Sequence, residues 1–108
     1  MDTVDEGNTS ILVLTFKDHE MLEVIPETAT YRIDDLISGT NIKAWTPFFP
    51  AAATHEIVIT SAENGLVNQA NASEDRLVTV KWTYDTNKQG VKEYQYTLQN
   101  MRAIPVVT

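Results

Sequence analysis

The chain has 108 residues, no cysteine and a formal charge of −7. That length fits one domain with a single apolar core, and the missing cysteines exclude disulfides, thiolate metal sites and cysteine nucleophiles. The eight lysines and arginines are scattered against 15 acidic residues, so no basic patch exists for nucleic acid or an anionic membrane surface.

Hydropathy patterning then places the elements. Residues 1–9 (MDTVDEGNT) are polar and acidic, lacking the basic start and apolar stretch of a secretory signal. Synthesis and folding in a cytoplasm is the expectation, with residues 1–9 a flexible N-terminal arm, or the first 20 residues an arm that pairs with a neighbouring subunit or simply a first strand. Residues 11–17 (ILVLTFK) put Leu12, Leu14 and Phe16 on one face. Residues 21–25 form a shorter run closed by Pro26, and residues 29–36 alternate Tyr31 and Ile33 against Arg32 and Asp34. Residues 41–45 follow the Ser38-Gly39 turn signal, and residues 55–60 place Ile57 and Ile59 together. Residues 76–85 are the clearest strand, with Val78, Val80, Trp82 and Tyr84 on one side. Residues 92–99 align Tyr94, Tyr96 and Leu98, and residues 86–90 between these two runs read as a hairpin loop. Residues 61–75 are small, polar and Asn-rich, a long connection with room for one helical turn.

About seven strands at roughly ten-residue spacing predict an all-β fold. The expected form is an immunoglobulin/fibronectin-III-like β-sandwich of about seven antiparallel strands without a disulfide. A small barrel is the alternative. Trp45 falls where such sandwiches often bury a tryptophan. The whole chain, 1–108, reads as a single domain.

No pattern assembles a catalytic site. Asp18-His19-Glu20 is consecutive, so on a strand its side chains would diverge, and a solvated turn fits better. Asp34-Asp35 lacks the spacing of a calcium loop and reads as a charge pair at a hairpin end. His55 has no second histidine at metal-ligating spacing. The serines lack a nucleophile-elbow setting and the four glycines stand alone. No catalytic residue, cofactor or metal is expected.

Residues 45–50 (WTPFFP) are the most unusual stretch. Its two prolines each lack a donor, which rules out a central strand. Two readings compete for Phe48 and Phe49: the rings cap an open end of the sandwich, or one or both protrude as aromatic anchors for a partner. Tyr31, Trp82, Tyr84, Tyr94 and Tyr96 fit a buried face better than a sugar-binding platform.

The run Tyr31-Arg32-Ile33-Asp34-Asp35-Leu36, then Ser38-Gly39, Ile42, Trp45-Thr46 and a proline, resembles a group of small, mostly uncharacterised phage and prophage proteins. The similarity continues through Ile57-Val58-Ile59, the Asn-rich stretch, Arg76-Leu77-Val78-Thr79-Val80, and Glu93, Tyr94 and Tyr96, covering residues 24–100. The resemblance implies a non-enzymatic virion component made in the bacterial host cytoplasm: a capsid decoration or cement protein, a head–tail piece or a tail accessory. The implied partners are capsid or tail proteins of the same particle, with the chain homo-oligomeric or docked on a lattice. The alternative function is a recognition module for a host-surface glycan or protein.

Overall fold

The computed structural model describes residues 3–101 and is an all-β sandwich of two sheets. The seven strands are β1 (Thr3–Asp5), β2 (Ser10–Thr15), β3 (Thr28–Asp35), β4 (Asn41–Phe48), β5 (Thr54–Ile59), β6 (Ser73–Tyr84) and β7 (Lys88–Gln99). One sheet has five strands in the order β1-β7-β6-β3-β4, and the other pairs β2 with β5. Among the described residues no helix is long and apolar enough to cross a membrane.

The alternation read from the sequence decides which face each strand buries. Leu12, Leu14, Phe16, Ile57 and Ile59 come from the small sheet and its continuation. They meet Ala29, Tyr31 and Ile33 of β3, Val78, Val80, Trp82 and Tyr84 of β6, and Tyr96 and Leu98 of β7. Every one of these side chains is buried. Burial of a Val, Leu, Ile or Phe side chain contributes about 1.5–3 kcal/mol. The core therefore comes from two alternating faces meeting, with no cross-link involved.

The strand inventory differs from the expectation in four places. Residues 21–25 are not a strand. Asp18 donates its N–H to Leu22 O (2.8 Å) and its Oδ1 accepts from Glu20 N and Leu22 N, so the backbone there is committed to a turn. The segment keeps one isolated bridge, Lys17–Glu23. The seventh strand is instead β1, from the expected N-terminal arm, and it lies parallel to β7 with Thr3 opposite Thr97. The sandwich is thus not wholly antiparallel. A three-residue strand whose partner is some ninety positions away leaves no local pattern to read.

The β6–β7 hairpin is the third difference. Tyr84 pairs with Lys88, so the loop is shorter than expected, and Asp85 (φ 48°) and Thr86 (φ 70°) take the left-handed conformation that closes it. Strand β6 also starts earlier, at Ser73, inside the stretch expected to be irregular.

Trp45 is the fourth. It is 38% exposed on the outer face of β4, not buried. Strand β4 is the edge of the large sheet, and its ladder with β3 is irregular on both sides of the Ile33–Lys43 pair. Trp82, from the central strand β6, is the buried indole, edge-on to Phe16 at 5.4 Å.

Candidate functional site

The charged groups resolve into structural roles. Asp18-His19-Glu20 is the turn just described, with His19 stacked on Tyr84 at 6.2 Å. Arg32 donates two hydrogen bonds to Asp34 (2.8 and 2.7 Å), which lowers the Asp34 pKa below its ordinary value. Asp35 accepts from Ser38 N and Ser38 Oγ (2.9 and 2.6 Å), closing the β3–β4 turn. His55 stacks on Phe48 at 5.0 Å. Among the described residues no three His, Cys, Asp or Glu side chains converge to hold a metal.

A buried ionic cluster lies at one end of the core, where Glu74 and Arg76 continue the inward face of β6. Arg76 donates to Asp35 Oδ1 (3.3 Å), Glu74 Oε1 (2.7 Å), Glu63 O (2.9 Å) and Gly65 O (2.8 Å). Burial alone would raise the Glu74 carboxyl. Donors from Val67 N, Arg76 Nη2, Asn68 N and Asn71 Nδ2 outweigh it and hold its pKa at about 2. Alongside, Tyr96 Oη donates to Asn64 Oδ1 (2.7 Å), and Asn64 Nδ2 donates to Asn8 O and Ser10 Oγ. Burial raises the Tyr96 hydroxyl to about 12. Among the described residues every buried side-chain polar atom has a partner. A saturated, closed cluster offers no face to a substrate. It ties the loop of residues 60–72 to both sheets in place of an apolar layer.

Sequence reasoning missed this cluster, although the parity was available. Glu74 and Arg76 share the even register of Val78, Val80, Trp82 and Tyr84. Extending the alternation backwards predicts two inward charges that must neutralise one another.

The two phenylalanines of residues 45–50 part company. Phe48 is half-buried and touches Phe16, Tyr31 and His55, with ring centroids at 6.0, 5.7 and 5.0 Å. Phe49 is 86% exposed. Phe48 is the last residue of β4 and its ring closes the sandwich end, whereas Phe49, just past the strand, projects into solvent. Trp45 lies beneath two cations, with Lys81 Nζ 4.4 Å and Arg32 Cζ 5.6 Å from ring centroids.

A concavity lies elsewhere. A groove of about 740 Å³ opens between the β2 side of the small sheet and the first half of β7. Val13, Thr15 and Lys17 form one wall, and residues 89–92 with Tyr94 form the other. Trp82 and Tyr84 lie at its base, and Asp18, His19 and Met21 close one end. Trp82 Nε1 donates to Lys17 O (3.3 Å), which fixes the base to the β2 wall. A Cβ on Gly90 would overlap the Trp82 ring, so glycine is what lets the indole lie flat against β7. The groove exists because a two-stranded sheet cannot cover a five-stranded one. Among the described residues β2 pairs only with β5, and β1 covers β7 only from Thr97 to Gln99. Two strand edges with unpaired backbone therefore flank an apolar base.

No family model, curated protein or solved structure matches this chain.

Proposed function

We propose that this chain is a non-enzymatic assembly module with an immunoglobulin-like arrangement, which accepts an extended strand of a protein neighbour along the free edge of β7. The carrying observation is the groove between two unpaired strand edges. An exposed edge supplies backbone hydrogen bonds to an incoming strand, and a flanking apolar groove supplies side-chain selectivity. The strand order supports the immunoglobulin-like reading. Taken in chain order, β4-β3-β6-β7 corresponds to C′-C-F-G and β2-β5 to B-E. In that arrangement further strands flank B and E, and here those flanks carry none among the described residues. Lys88 and Lys92 on the β7 edge discourage indiscriminate pairing while leaving the edge open to a fitted partner.

The sequence resemblance supplies the setting: a phage particle, with the chain as a capsid decoration, head–tail or tail accessory part. Recognition of a host-surface glycan is less well supported. Tyr31, Trp82, Tyr84 and Tyr96 are buried, and the exposed Trp45 ring already lies near two cations. The test is cryo-electron microscopy of the phage particles released by a strain that encodes this chain. The expected result is the sandwich on capsid or tail with an extended strand beside residues 88–95. Particles without the chain, or a docked chain whose β7 edge faces solvent, overturn the proposal.

A further inference from the structure

We infer that the strand entering the groove is residues 102–108 of a second copy of this chain, an inference that rests on the strand-accepting reading above. These residues lie outside those the structure describes, and their sequence is Arg-Ala-Ile-Pro-Val-Val-Thr. Ile104 and Val106 share one parity and supply an apolar, β-branched face. Pro105 falls on the other parity and has no N–H, which an added edge strand tolerates where that position faces away from its partner. Arg102 is the one charged residue, so the segment brings little repulsion to Lys17 and Lys92 on the groove walls.

The course of the chain favours a second copy over self-insertion. Strand β7 runs away from the groove, and Tyr94 to Gln99 carries the chain about 17 Å beyond it. At that far end β1 already fills the outer edge of β7. Past Gln99, Asn100 N donates to Ala72 O (2.9 Å), and Asn100 Nδ2 donates to Gln69 O (2.9 Å) and Asn71 O (2.8 Å). Asn100 is thus still held on the β6 side of β7, opposite the free edge. A return within one molecule would have to cross over β1 and double back along β7. Groove and segment are different surfaces, so the contact is heterologous and propagates from copy to copy, closing into a ring where the rotation allows.

The test uses the full-length chain, which has no native cysteine. Lys92→Cys protein, altered on the inward register of β7, mixed with Val106→Cys protein under mild oxidation is expected to give a mixed disulfide dimer. A double variant that cross-links only within single molecules at high dilution overturns the second-copy assignment. The second arm is Ile104→Asp with Val106→Asp, positions outside the described core. Sedimentation is expected to show self-association weakened roughly tenfold or more, with the thermal transition unchanged. Amide exchange of residues 88–95 is expected to accelerate in parallel. Association and edge protection that persist in this variant overturn the inference, while the strand-accepting reading stands with another occupant. Edge amides that exchange freely in the concentrated wild-type chain and in assembled particles overturn both.

Discussion

Glu74 carries a pH dependence that can be worked from its surroundings. Its side chain is fully buried, and one carboxylate accepts four hydrogen bonds, from Val67 N, Asn68 N, Asn71 Nδ2 and Arg76 Nη2. Its pKa falls from 4.5 to about 2. At about 1.4 kcal/mol per pKa unit, the difference corresponds to about 3 kcal/mol of folding free energy at neutral pH. The folded-state value is depressed, so the unfolded chain takes the proton first as pH falls. The contribution is complete above about pH 4.5 and disappears as pH falls through about 2, with about 2 kcal/mol gone by pH 3. Asp34 and Glu63, also lowered, act in the same direction. The difference between wild type and Glu74→Gln isolates the Glu74 share. The amide has one acceptor oxygen where the carboxylate has two, and its NH₂ then faces donors. Urea unfolding across a pH series is expected to show Glu74→Gln less stable by about 3 kcal/mol at pH 7, with the gap shrinking to about 1 kcal/mol near pH 3. A gap that stays constant with pH would refute the reasoning, because it would mean that Glu74 is protonated in the fold or carries no charge-dependent bonds.

Two further substitutions probe the rings and the groove. Phe48→Ala is expected to cost about 2 kcal/mol, below the range for a fully buried phenylalanine, whereas Phe49→Ala stays within about 0.5 kcal/mol of wild type. Thermal or urea unfolding of the two single variants checks this, and equal losses would place both rings in the core. Gly90→Ala is expected to push the Trp82 indole off the groove base, lowering stability by about 1–3 kcal/mol. In a Trp45→Phe background the emission of Trp82 should shift to the red. An unchanged spectrum would mean that the ring does not lie against Gly90.

The chain itself determined the sandwich. Alternation over residues 11–16, 29–35, 76–84 and 94–98 fixes inward faces whatever the partner strand, because a strand has a period of two and an apolar face must be covered. The residues alone left open whether Phe48 and Phe49 cap the sandwich end or protrude; the structure splits them, Phe48 inward and Phe49 outward. Tertiary structure decided the rest, since it depends on pairings between distant positions. The parallel placement of Thr3–Asp5 beside Thr97–Gln99 leaves no local trace. Trp45 faces outward and Trp82 inward because β4 is an edge and β6 is central. The charges of Asp35, Glu74 and Arg76 cancel only when β3, β6 and the loop of residues 60–72 meet. The groove, too, is a property of sheet sizes: two strands laid on five leave the β7 edge bare, and no single segment of sequence records that difference.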